Sequence, residues 1–421
     1  MEKQLIPQLR FPVFSNKWVS KKLGDIATFS KGKGISKSDI IEDGKNECIR
    51  YGELYTTYNE VINSISSRTN IELADSIISE ENDVIIPSSG ETQLDIATAS
   101  CVLKNGVILG GDLNIIKSNI NGVFLSYLLN NSKKKDIAKL AQGNAVVHLY
   151  NKQLATLSLK LPTSEEQQKI ASFLTDVDDK ITKLTKKKDL LEQYKKGIMQ
   201  KIFNQELRFK PDVIARNEAI SQKEANFPEW EEKKITTFAK TTIGLVTSMT
   251  KHYVHKDIGV PLIRNSDIMG NKIRMEKLIY LDKVFSETHN NRRLKFNDVV
   301  TVHTGDIGIS SVIDKKLDGC HGFATLNTRI KNIKEVLPSY LSWYFNSERG
   351  IRYALSMATG DGRSNYNLKD FNKAIVPIPH IKEQTKIANF LSDIDVKIEA
   401  LNTKIENSKT FKKGLLQQMF V

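Results

Sequence analysis

Apolar residues fall in alternating steps of four and three along two stretches of the chain. The first runs Ile170, Leu174, Val177, Ile181 and Leu184, then Leu191, Ile198 and Ile202. The second runs Ile387, Leu391, Ile394, Ile398 and Leu401, then Ile405, Leu415 and Met419. Such a heptad seam predicts two helices of about 40 residues, roughly 60 Å long each. Pro162-Thr163-Ser164-Glu165-Glu166 has the small polar and acidic residues suited to a helix start. Lys188, Lys195 and Lys412 interrupt the seams, which predicts a weaker stretch or a polar layer. Each seam needs burial and an equivalent seam is present. The two helices are therefore expected to pair with each other as an antiparallel coiled coil, related by a pseudo two-fold axis. That pairing would place two globular domains at opposite ends of a spacer.

Outside these stretches the pattern is short and mixed. Residues 84–89 and 298–303 read as strands, and 123–141 and 337–355 as helical. The chain also repeats itself. At an offset of 217, residues 162–181 and 379–398 share 12 of 20 positions. The match continues backwards at slightly different offsets through Asn82-Asp83-Val84 with Asn297-Asp298-Val299, Ile49-Arg50 with Ile263-Arg264, and Phe11-Pro12 with Phe227-Pro228. A period this long indicates duplicated domains and not a solenoid. The expected organisation is a mixed α/β (α+β) domain over 1–161, a long helix over 162–206, a polar linker over 207–226, a second domain over 227–378 and a second long helix over 379–421.

Charge changes the picture. The chain has 62 Lys and Arg against 49 Asp and Glu, a net charge of +13. This excess favours a polyanionic partner. Lys133-Lys134-Lys135 and Lys186-Lys187-Lys188 are candidate phosphate contacts or solvated faces. The three cysteines, Cys48, Cys101 and Cys320, argue against a disulfide framework and fit a reducing, cytoplasmic setting. No apolar run is long enough for a membrane span. Catalytic signatures are missing: no phosphate-binding P-loop, no dinucleotide fingerprint, no paired-cysteine or His-Glu-x-x-His metal motif. His252, His255, Cys320 and His321 are better read as incidental than as metal ligands. Gly305-Asp306-Ile307-Gly308 and Gly360-Asp361-Gly362 read as turns.

The duplicated motifs are more specific than the composition. Each copy has a Pro-containing segment, then a Glu-Gln pair (Glu166-Gln167 and Glu383-Gln384), then Lys-Ile-Ala-x-Phe-Leu opening a long helix. Leu9-Arg10-Phe11-Pro12 with Trp18, and Phe227-Pro228-Glu229-Trp230, open the copies. In these features the whole chain resembles the specificity subunit of type I restriction–modification systems. The resemblance implies a non-catalytic subunit with two target recognition domains, each reading half of a bipartite sequence in double-stranded DNA. The helices would serve as a ruler and dock two modification subunits, which methylate adenine N6 with S-adenosylmethionine. Restriction subunits would supply translocation driven by ATP and Mg. The absent catalytic motifs would then lie on partner chains. A stand-alone DNA-binding or regulatory protein built on the same module is the alternative.

The duplication also suggests which residues read bases. Positions alike in both copies hold the fold, and divergent loops read different half-sites. One such loop holds Glu91, Thr92 and Gln93, matched by Thr304 and Asp306. The other holds Asn144 and His148, matched by Arg363, Ser364, Asn365 and Tyr366. Gln and Asn suit adenine edges and Arg suits guanine. Arg50 and Arg264, alike in both copies, are candidates for phosphate contact or for internal structure.

Overall fold

The computed structural model describes residues 6–143, 146–211, 226–358 and 365–421. The residues form two compact units. One comprises Met1–Lys186 with Asn402–Val421, and the other Lys187–Leu401. Most of the expected linker, residues 212–225, lies outside the described residues.

The first unit has a five-stranded sheet in the order Ala27–Lys31, Leu113–Ser118, Asp83–Pro87, Ser100–Val102, Val61–Ile62. A three-stranded sheet joins Ser67–Thr69, Asn46–Ile49 and Ile108–Leu109, and Val19–Lys22 pairs with Ser158–Leu161. Strand Asp83–Pro87 is buried throughout, as its apolar run requires. In the second unit a four-stranded sheet runs Ala239–Ile243, Leu326–Ile330, Val299–Thr301, Ser310–Val312. A further sheet runs Tyr253–Val254, Ile279–Leu281, Val260–Arg264, His321–Phe323, and Glu231–Lys234 pairs with Ile375–Ile378. Equivalent strands of the two copies pair in equivalent ways, mostly antiparallel.

Local chemistry explains several repeated motifs. Asn82 and Asn297 both adopt positive φ, at 80° and 71°, a conformation that asparagine tolerates better than most residues. The following carboxylates, Asp83 and Asp298, are buried and accept a backbone N–H, from Glu80 and Lys295 respectively, closing the turn. The segments read as helical each hold two helices. Gly122–Asn130 precedes Lys134–Leu140, and Pro338–Phe345 precedes Glu348–Ser356, with Ser347 capping the latter through Gly350 N–H.

The long helices are Ser164–Phe203 and Ile381–Met419. In the first unit Ile170, Leu174 and Val177 share a core with Leu415, Met419 and Phe420. In the second unit Ile202 and Phe203 share a core with Ile387 and Leu391. The start of each helix thus lies with the end of the other, so they run antiparallel. Their end residues do not form an isolated seam: they are built into the domain cores beside Trp18 and Phe124 in one unit and Trp230 and Tyr340 in the other. Ile394, Ile398 and Leu401 are buried, whereas Ile181 and Leu184 are half-buried.

Two of the interrupting lysines form polar layers, one in each unit, while Lys188 pairs with Glu192 on its own helix. Lys195 Nζ lies 2.7 Å from Asp395 Oδ1 in the second unit. In the first, Lys412 Nζ lies 2.8 Å from Asp178 Oδ1 and 3.2 Å from Glu60 Oε2. Exchanging the copies maps one pair onto the other. A polar group within an apolar seam specifies register at a cost in stability. Reversing one charge, Lys412→Glu, is expected to destabilise the first unit, and Asp178→Lys in the same chain to restore part of the loss. A urea-unfolding cycle checks this, and additive effects of the two changes would show that the pair is uncoupled.

The Glu-Gln motif is a buried clamp. Glu166 accepts bonds from Arg10 Nε at 2.8 Å and Arg10 Nη2 at 2.7 Å, and from Trp18 Nε1 at 3.4 Å. Gln167 donates to Pro162 O and accepts from Asn121 N. In the second unit Glu383 accepts from Arg208 Nε at 3.2 Å, Arg208 Nη2 at 2.9 Å and Trp230 Nε1 at 3.1 Å. Gln384 donates to Pro379 O and accepts from Leu337 N. The matching of Phe11-Pro12 with Phe227-Pro228 is therefore corrected. Leu207-Arg208-Phe209 takes the place of Leu9-Arg10-Phe11: Phe209 meets Phe390 edge-on at 5.6 Å, as Phe11 meets Phe173 at 5.6 Å. Leu9 N–H donates to Gln418 O, and its counterpart Leu207 N–H to Lys201 O. Phe227 instead stacks on His380.

No helix of the described residues is long and apolar enough to cross a membrane. Among them no group of three or more His, Cys, Asp or Glu is placed to hold a metal ion. His252 pairs with Asp282 and His255 with Asp257, while Cys320 and His321 are buried. His321 Nε2 lies 2.9 Å from Ser286 Oγ. Burial, then the charges of Arg293 and His289, push its pKa down from 6.5 to about 4. An imidazole kept neutral in the fold protonates first in the unfolded chain. Stability is therefore expected to fall as pH drops from about 6.5 toward 4. Urea midpoints across that window should show the loss, and His321→Asn should flatten it.

Candidate nucleic-acid interface

The two loops singled out in each copy are brought together by short backbone pairings. In the first unit Ser89–Gly90 pairs antiparallel with Val147–His148, setting Gly90 opposite Val147 and Ser89 opposite His148. Glu91, Thr92 and Gln93 follow directly and are exposed, as is His148. Thr92 caps the short helix Gln93–Ile96 by accepting from Asp95 N–H, which fixes where Gln93 starts. In the second unit Thr304 pairs antiparallel with Asn365, and Thr304 Oγ1 donates to Asn365 Oδ1 at 2.8 Å. Gly305 has φ of +98°, a conformation that favours glycine, and Asp306 beside it is exposed. Asn144, Arg363 and Ser364 lie outside the described residues.

One candidate is corrected, and for Arg264 the internal alternative holds. Tyr366 is 2% exposed and packs edge-on against Phe371 in the core. Its ring is large and apolar, and its place beside a divergent loop disguised an inward direction. Arg264 is tied internally. Its Nε and Nη2 bond both oxygens of buried Asp267 at 2.9 Å, and Nη2 also donates to Lys277 O at 2.8 Å. The hydrogen bond to Asp267, with its charge, holds the guanidinium pKa above its usual value. Arg50 differs, because its Nε is buried with no hydrogen-bond partner.

Residues that the loop comparison did not single out complete the first unit's surface. Tyr55 donates its hydroxyl to Ser89 O at 3.1 Å and meets exposed Tyr51 edge-on at 6.3 Å. Burial, then the carboxylates of Asp95, Asp112 and Glu91, push the Tyr55 pKa up, so it remains a donor. His148 stacks on Tyr150 at 6.2 Å, and Lys31 Nζ lies 5.7 Å from the Tyr150 ring centre. Side chains able to donate, accept and stack converge here, which is what reading base edges requires. The available signal was the aromatic content of residues 51–58, which periodicity does not register.

The model of the type I restriction modification DNA specificity domain matches residues 15–193 and again 228–408. The chain belongs to that family. It is the non-catalytic DNA specificity subunit of a type I restriction–modification system. It is similar to the MjaVIII specificity subunit of Methanocaldococcus jannaschii, at 23% identity, covering 95% of this chain and 91% of that one. It is also similar to the EcoKI specificity subunit of Escherichia coli, at 18% identity over 96% and 87%. The fold matches the crystal structure of the S subunit from M. genitalium, with a TM-score of 0.62, 15% identity and 99% of both chains covered. Type I specificity subunits assemble with modification and restriction subunits on DNA. In this family the cofactors reside on those partner subunits.

Proposed function

We propose that each domain of this specificity subunit reads one half of a bipartite double-stranded DNA site through its pair of adjacent loops. The observation that carries this is the pairing of Ser89–Gly90 with Val147–His148, repeated as Thr304 with Asn365. The backbone frame is the same, and the side chains on it differ. Domains 1–161 and 227–378 are the reading domains, joined through the long helices 162–206 and 379–421. Glu91, Thr92, Gln93 and His148 serve one half-site, and Thr304, Asp306 and Asn365 the other. Asn144, Arg363 and Ser364 extend the same loops. A net charge of +13 supplies affinity for phosphates, while base-edge contacts supply sequence.

In this reading two modification subunits, one per domain, transfer methyl groups from S-adenosylmethionine to adenine N6. Restriction subunits act with ATP and Mg, and the complex works in the cytoplasm. Reconstitution tests the division of labour. Plasmid DNA should gain methyl groups only when this chain, the modification subunits and S-adenosylmethionine are combined. Methyl transfer by this chain alone would overturn the non-catalytic role.

A further inference from the structure

Arg50 and Arg264 stand at equivalent positions with equivalent backbone bonds. Arg50 N–H donates to Glu53 Oε2 at 2.7 Å, as Arg264 N–H donates to Asp267 Oδ2 at 2.9 Å. Their guanidinium groups are treated differently. Asp267 holds that of Arg264 with both oxygens. Glu53 is one methylene longer, and its other oxygen accepts the Ser67 hydroxyl. Arg50 Nε is left buried without an acceptor. Arg50 is half-buried, so an acceptor from outside would meet the rest of its guanidinium and not the enclosed Nε.

The neighbourhood supplies a surface for that acceptor. Arg50 precedes Tyr51, which begins a continuous chain of contacts through Tyr55, the Ser89–His148 pair, Tyr150 and Lys31. Tyr51, Tyr55 and Tyr150 are 38%, 37% and 47% exposed, a concentration of exposed rings that the core does not require. Gly32 is forced here, since a Cβ would stand 1.9 Å from Gly110 O, so Lys31 is followed by a fixed close crossing.

The second copy lacks the equivalent tyrosines and lysine. Tyr51 and Tyr55 correspond to Asn265 and Met269, and Tyr150 to Asn367, which caps Leu368–Phe371. Lys31 lies opposite Asn114 as Thr242 lies opposite Asn327. Asn265 is turned inward, accepting from His303 N–H. The same frame thus carries an aromatic and basic strip in one copy and Asn265, Met269, Asn367 and Thr242 in the other.

We propose that Arg50, Tyr51, Tyr55, Tyr150 and Lys31 form a contact strip for duplex DNA that belongs to the first half-site alone. Arg50 donates to a guanine edge or a phosphate, Lys31 neutralises a phosphate, and the rings pack against sugars and thymine methyls. The two half-sites are therefore held by different chemistry, and Arg50 and Arg264, alike in sequence, have different roles. This rests on the reading that each domain recognises its own half-site.

The test uses the full chain assembled with its modification subunits and a pool of randomised DNA duplexes, sequencing the bound fraction. The wild-type complex should enrich a two-part motif. Arg50→Gln, and separately the exposed pair Tyr51→Ala with Tyr150→Ala, should lower enrichment of one part by about tenfold or more and leave the other unchanged. Lys31→Ala should weaken binding across sequences and reduce the salt slope by about one. Arg264→Gln should lower the unfolding temperature and leave both parts of the motif in the folded protein. Equal loss in both parts, or loss in neither, overturns the strip. A wild-type complex that enriches no two-part motif overturns the underlying half-site reading, before any variant is compared.

Discussion

Glu166→Ala is expected to destabilise the first unit by about 3–5 kcal/mol, the largest effect of any single substitution considered. Glu166 is 1% exposed and Arg10 only 10%. Removing the carboxylate leaves the Arg10 guanidinium with Asn16 O as its remaining acceptor and the Trp18 indole N–H without one. The cost is that of an uncompensated buried charge and not the net worth of the pair. For a unit of this size it corresponds to a fall in unfolding temperature of roughly 10 °C. Glu383→Ala should act the same way on the second unit, somewhat less, because Arg208 is 21% exposed. Arg10→Ala with Glu166→Ala should cost less than the two single changes added. Calorimetry of each variant checks these values. A change below about 1 kcal/mol for Glu166→Ala would place the clamp among weak surface pairs.

The second large effect concerns recognition. Gln93→Ala with His148→Ala removes exposed polar side chains on both loops of the first unit and leaves the backbone pairing of Ser89–Gly90 untouched. Discrimination at the affected base pairs should fall by about 1–3 kcal/mol each, or roughly five- to 150-fold. The loss should appear in one half of the target only. Methylation rates on duplexes altered one base pair at a time measure this. Equal relaxation in both halves would mean that these loops set general affinity and not sequence.

Much of the architecture was legible because it is written twice. The heptad seams, the Glu-Gln helix starts and the 217-residue offset all survive as structural equivalences. The polar layer was visible as Lys195 and Lys412, although only the fold shows Asp395 and Asp178 as their partners. The opening of the second copy was misread because Phe-Pro recurs at 227–228. The decisive element is the buried ion pair, and Leu-Arg-Phe at 9–11 and 207–209 marks it in the sequence.

The candidate recognition surface was half legible. Divergence between the copies picked loops that short backbone pairings bring together. Divergence does not give side-chain direction, so buried Tyr366 resembled a reader. Similarity does not give side-chain partners either. Arg50 and Arg264 look alike until Glu53 and Asp267 are compared: Asp267 holds its guanidinium, whereas Glu53 accepts from the Arg50 backbone and Ser67.

The most direct measurement is a genome-wide map of N6-methyladenine in the source organism, with this gene intact, deleted and restored. The expected result is one bipartite motif, fully methylated when the gene is present, lost on deletion and regained on restoration. A map unchanged by deletion, with the modification subunits expressed, would contradict the assignment of target choice to this chain.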